Sequence, residues 1–283
     1  MSEDKPEASN NDTSLPITAT AQVAKDLMEL AKNDSNTIEA TRNFGESAVI
    51  VSKAVKNCLL PLAAVNFGID KAKAYFQNKF AKDLEEKTQH ISPENVVEPK
   101  ASIAGPALQG LAFCHEEAPL REMYLNLLSS SMDANLQDST HPAFIEIIKQ
   151  LNSKEVFYLD YFLKAGVSSP IGRVMFKDVD SDSFYIGRKN ITNLTVKGEH
   201  YYDSQLPMFI DNWIRLGLFA IDYDKFIKFD NDPYESMKLR DEFKSDESFE
   251  QPTFTKTLEK GCLERTLFGE QFAKIVGIIE RTI

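Results

Sequence analysis

Between Ser102 and Phe162 apolar residues recur at helical spacing in one segment after another, and this constrains the fold more than any other feature of the chain. The spacing predicts helices over Ser102–Phe113, Leu120–Met132 and His141–Leu151, the last running into Asn152–Leu159. Leu120, Met123, Tyr124, Leu127, Leu128 and Ser131 form one stripe; Phe144, Ile147, Ile148 and Leu151 form the next. Neighbouring stripes joined by polar loops must cover one another, because neither can leave that much apolar surface in water. The result is a packing core without a reactive group.

Helix-end signals set the boundaries of these segments. Glu116 and Glu117 place negative charge at the positive end of the second helix, and Pro119 suits its first turn. His141-Pro142 opens the third helix in the same way. Asn152 is placed to cap the fourth, with Glu155 three residues on to return the hydrogen bond, and Gly166 stops it.

Upstream, residues 1–16 are polar, acidic and aperiodic, and read as a disordered tail. A first amphipathic helix is expected from Thr20 to Asn33. From Ala48 an apolar pattern continues through Ile69, Ala72, Phe76 and Phe80 to the charged end Asp83–Lys87, which predicts one long helical region bent at Pro61. A spanning helix needs about 20 uninterrupted apolar residues, and Lys53, Lys56 and Asn57 interrupt this one. Burial against the Ser102–Phe162 bundle is therefore the expectation, with membrane contact through 48–69 as the alternative. Ile91–Pro99, with two prolines, reads as a linker.

Beyond Ser168 the period changes. Gly172–Phe176 and Ser183–Ile186 are short and rich in aromatic and branched residues, as strands are. A helix returns at Gln205–Leu216, stopped by Gly217, and Phe219, Ile221 and Tyr223 then alternate as a half-buried strand. The charged run Asp230–Gln251 reads as an exposed loop or wing, Thr253–Leu263 as its returning strand, and a last helix follows through Phe268, Phe272, Ile275, Val276 and Ile279. That order is the order of a winged helix. The expected fold is thus mainly α with a smaller α+β part: a long helix and helical bundle over 17–166, then a winged-helix-like module over 167–283. No internal repeat is evident.

Composition narrows the function classes. With 32 Lys and Arg against 43 Asp and Glu the net charge is −11, which repels phosphate backbones, and no local basic patch offsets it. The would-be recognition helix offers Asp211, Asn212 and Arg215, one cation against one anion, so nucleic-acid binding is not expected. Cys58, Cys114 and Cys262 are odd in number and far apart, which suits reduced, space-filling thiols in a cytoplasm. Met1–Asn11 has no apolar core, so no signal peptide is expected.

The four histidines stand in no ligand or triad pattern, and His115-Glu116-Glu117 lacks the second histidine of a zinc-protease motif. No Gly-rich phosphate loop exists. Asp178–Asp182 resembles a calcium loop only loosely, without the glycine and closing glutamate that such a loop needs. No catalytic, metal-binding or cofactor-binding residues are therefore expected. An enzyme would need a site assembled from scattered groups such as Asp211, Glu146 and His141, which their spacing does not recommend.

The Leu120–Asp133 and His141–Leu151 runs, with the apolar helix entering the domain, Leu216-Gly-Leu218 and Leu267–Phe272, resemble the abortive infection alpha family. The resemblance covers roughly residues 37–276, and the two central runs are its specific part. It implies a cytoplasmic bacterial protein that restricts phage by disabling the infected cell, and it supplies no catalytic residues. The leading expectation is a non-enzymatic defence protein that acts by protein contact, or by conformational release of the apolar helix, on meeting a phage component or protein partner. Homo-oligomerisation is a possible part of this. A winged-helix transcriptional regulator and a membrane-perturbing toxin are the alternatives.

Overall fold

The computed structural model describes residues 69–196, 199–228, 232–249 and 251–280. The expected tail at 1–16, the helix at Thr20–Asn33, the bend at Pro61 and the apolar run 48–68 lie outside the described residues. The remainder of the long region forms two helices, α1 (Ile69–Asn78) and α2 (Phe80–Thr88), separated by a turn at Lys79. Backbone bonds from Lys79 N–H to Tyr75 C=O and from Asp83 N–H to Lys79 C=O, both 2.9 Å, carry the ladder across that turn. Tyr75, Phe76, Phe80 and Leu84 face inward.

After a short 3₁₀ turn at Pro93–Asn95 come α3 (Ala101–Cys114) and α4 (Ala118–Ser131), packed as an antiparallel pair. They approach closely because Gly110 lacks a side chain: a Cβ there would overlap the Tyr124 ring. The α4 stripe is wider than its spacing implies. Leu125, Ser129 and Ser130 are buried beside the expected positions, so α4 is the central strut of the bundle. Its polar groups tie down other helix ends. Ser129 Oγ donates to Lys87 C=O at 2.7 Å, Ser130 Oγ to Ile275 C=O at 3.0 Å, and Asn126 Nδ2 to Val276 C=O at 3.0 Å. Those carbonyls belong to helix C-terminal turns, which have no intrahelical donor of their own.

Helix α5 (Ala143–Ile148) opens at His141-Pro142, and His141 Nδ1 accepts the Ala143 N–H at 3.1 Å. Helix α6 (Ser153–Lys164) is capped as its sequence predicts, with Asn152 Oδ1 accepting the Glu155 N–H at 2.9 Å. Gly166, at φ 119°, then turns the chain into the sheet.

Here the structure departs from expectation. In place of a winged-helix-like module stands a curled, antiparallel five-stranded sheet. Its strands are β1 (Ser168–Asp178), β2 (Phe184–Ile186), β3 (Ile191–Thr192), β6 (Phe219–Asp222) and β7 (Phe254–Arg265), in the order β2-β1-β7-β6 with β3 also on β1. The first long strand pairs with the last, from Ser168 opposite Glu264 to Asp178 opposite Phe254. A winged helix ends in a local hairpin; this sheet is instead spanned by its most distant strands, a pairing that local spacing does not reveal. A small separate hairpin, β4 (Thr195–Val196) with β5 (Glu199–His200), precedes helix α7 (Leu206–Arg215).

The supposed wing is a second correction. Residues 232–249 hold helices α8 (Pro233–Lys238) and α9 (Asp241–Lys244), and Tyr234, Met237, Arg240 and Asp246 are buried. Tyr234 and Met237 meet Val174, Phe176 and Leu258 in a core on one face of the sheet. Ile171 and Leu263, pointing to the other face, join the main core with the helices, α7 and the last helix, α10 (Leu267–Ile275). The would-be recognition helix packs one face into this core, burying Phe209, Ile210 and Trp213, while Met208, Asp211 and Arg215 stay exposed. Asn212 and Arg215 are bonded to Glu155 and Gln150.

Candidate functional site

Helix α6 buries Val156, Tyr158, Leu159, Phe162 and Leu163, which leaves Ser153, Lys154, Phe157, Asp160, Tyr161 and Lys164 outward. A solvated helix face is ordinarily polar. This one carries two aromatic rings one turn apart, Phe157 at 66% and Tyr161 at 46% exposure. Beside them lies the segment that follows β5, with Tyr201 at 37% and Tyr202 at 50% exposure. Tyr158 links the two parts, its ring centroid 5.3 Å from that of Phe157 and 6.3 Å from that of Tyr201.

A buried polar network fixes this face. Tyr158 Oη donates to Asp203 Oδ2 at 2.6 Å, and Lys154 Nζ reaches the same oxygen at 2.7 Å and Gln205 Oε1 at 2.7 Å. The Gln205 N–H donates to Asp203 Oδ1 at 2.9 Å. From the other side Arg240, buried and ion-paired with Glu242, donates to Leu194 C=O at 3.1 Å and to Tyr201 C=O. Burial alone would raise the Asp203 carboxyl, but Lys154, Tyr158 and the Gln205 N–H together hold it below the usual carboxylate range. Burial, and then the bond to Asp203, pushes the Tyr158 phenol well above its ordinary value. The network is thus a neutral phenol and an ionised carboxylate joined to an ammonium, a rigid mount for the rings around it.

A second polar constellation sits in the curl of the sheet. Arg173 on β1 pairs across the strands with Glu259 on β7, and its guanidinium lies 3.9 Å from the Tyr223 ring centroid. Tyr223 can lie there because Gly261 offers no Cβ beneath it. Burial raises the Tyr223 phenol, with Arg173 opposing and Glu259 and Asp211 reinforcing the shift. A phenol so held stays protonated at neutral pH, and the guanidinium is already engaged by a carboxylate and a ring within the chain.

Asp211, Glu146 and His141, the scattered candidates, are not brought together. Asp211 comes within electrostatic reach of Tyr223 and accepts from Asn190 Nδ2 at 2.8 Å. Glu146 pairs with Lys149 on α5 at 2.8 Å, and His141 caps its own helix against the Phe144 and Phe268 rings. Cys114 and Cys262 are buried free thiols, and burial pushes Cys114 up to about 12. Asp178 stabilises the β1–β2 turn, accepting from Asp180 N–H at 3.2 Å and Ser181 Oγ at 2.8 Å. Among the described residues no group of three His, Cys, Asp or Glu side chains is placed to hold a metal ion. No helix among them is long and apolar enough to cross a membrane.

Reading the sequence missed the aromatic face, although its signal was there. Phe157 and Tyr161 stand four apart and off the buried stripe, a departure from amphipathic order that the helix itself does not need. The arrangement as a whole suits recognition of another surface. The family model for abortive infection alpha matches residues 72–276. No curated protein and no solved structure matches the chain.

Proposed function

Since the chain belongs to the abortive infection alpha family, we propose that it is an antiphage defence protein of the abortive-infection type that works in the cytoplasm by protein contact and carries out no reaction. The observation that carries this reading is the exposed aromatic face of α6, mounted on the Tyr158–Asp203–Lys154 network. Exposed rings on a rigid element lose little conformational entropy on binding, and aromatic side chains supply much of the energy in protein interfaces. A phage component, or a host protein altered by infection, is the partner. Release of the apolar run 48–69 is the output assigned to that contact.

The test compares cells with and without the gene across a broad phage panel, scoring plaques and survival of infected cells before burst. The reading expects fewer plaques together with early death of infected cells. Equal plaquing across the panel, or lower phage yield from cells that survive, would overturn it.

A further inference from the structure

Charge around the aromatic face limits what can dock there. Among the described residues, three cations around it are already neutralised within the chain: Lys154 pairs with Asp203 at 2.7 Å, Lys164 with Asp160 at 2.8 Å and Arg240 with Glu242 at 2.8 Å. Glu199, two residues before Tyr201, and Asp241, adjacent to Arg240, are exposed and have no ion pair among the described residues. Arg240 donates to the Tyr201 carbonyl, which ties the helix pair that carries Asp241 to the segment that carries Tyr201. The chain as a whole carries −11, so its long-range field points the same way. Tyrosine and phenylalanine rings present negative π faces, which attract guanidinium and ammonium groups.

We infer that the face formed by Phe157, Tyr161, Tyr201 and Tyr202 docks a basic, arginine-rich segment of a partner protein. This inference rests on the contact reading above and adds the chemistry of the partner. Glu199 and Asp241 steer the cationic segment and flank it, while the rings take its guanidinium groups and the apolar residues between them. An acidic partner meets uncompensated like charge there, and the phosphates of nucleic acid or of anionic lipid meet the same repulsion.

The experiment titrates full-length protein against a fluorescent twelve-residue peptide of alternating Arg and Leu and follows anisotropy at 150 mM salt. A matched Glu–Leu peptide, a single-stranded oligonucleotide and vesicles of anionic phospholipid serve as comparisons. The expected result is saturable binding of the Arg–Leu peptide alone, weakened at least tenfold by Phe157→Ser with Tyr161→Ser and severalfold by Glu199→Gln with Asp241→Asn. Circular dichroism melts of the variants establish that they are folded. Equal binding of the Arg–Leu peptide by the folded serine variant would assign it to general charge and overturn the inference, as would preference for the oligonucleotide, the vesicles or the acidic peptide. If the serine variant loses phage protection while wild type ignores the Arg–Leu peptide, the contact reading stands and the basic partner is excluded.

Discussion

Asp203 shows how one side chain can serve both fold and surface. It holds Tyr158, Lys154 and the Gln205 backbone at once, and its carboxyl is depressed in the folded state. A depressed carboxyl contributes stability that is present above the unfolded value of about 3.9 and lost as pH falls through the lower folded value. Asp203→Asn should therefore cost about 2 kcal/mol at pH 7 in a urea titration, and less near pH 3. An equal cost at both would show that charge plays no part. Glu155 behaves oppositely. Burial raises its carboxyl against the opposing pull of Asn212, the Asn152 backbone and the Trp213 indole, which acts from outside strict hydrogen-bond geometry. A raised carboxyl gives stability that is present below about 4.3 and lost as pH rises through the folded value. Glu155→Gln should thus raise the urea midpoint at pH 7 and leave it near wild type at pH 4; a lower midpoint at both would contradict this. Exposed Phe157 supports no core, so Phe157→Ser should change stability by no more than about 0.5 kcal/mol.

Element ends are where the sequence was most legible. The Asn152 cap, the Pro119 and Pro142 openings and the Gly166 and Gly217 stops all appear in the structure, because caps depend on neighbours in the chain. Two helix ends repeat one device. At φ 75° both Gly217 and Gly277 close a helix with paired backbone bonds, Leu218 N–H to Trp213 C=O at 2.9 Å and Ile278 N–H to Ala273 C=O at 2.8 Å. Gly217→Ala should cost about 1–2 kcal/mol by urea unfolding, since only glycine takes that backbone conformation without strain; no measurable cost would mean the turn can relax. The serines of α4 are a different case. Spacing places only Ser131 on the stripe, yet Ser129, Ser130 and Ser131 are all buried and each hydroxyl donates to a carbonyl, two of them on other helices. Ser130→Ala should release the end of α10, seen as faster amide exchange at residues 270–278 than in α5. Uniform exchange across both would assign the loss to global stability instead.

For the whole molecule, legibility fell with sequence separation. The individual helices between residues 101 and 164 could be read from their stripes, because period and cap are local. The sheet could not, since β1 and β7 lie on either side of nearly all the intervening elements, and only their pairing shows that the chain forms one curled sheet. Charge misled in the same region: Glu235, Lys238, Lys260 and Asp232 pair with each other on the outside while Tyr234 and Met237 fill the core beneath. The site was hidden for a related reason. Phe157 and Tyr161 were visible as residues, but their exposure depends on which side of α6 the helices α4, α7 and α10 cover. What results is a packed mount that presents rings outward. The most direct measurement is phage plaquing on cells that make the Phe157→Ser, Tyr161→Ser variant at wild-type abundance. Plaque numbers matching those on cells without the gene are the predicted result, and protection equal to that of the unaltered protein would contradict it.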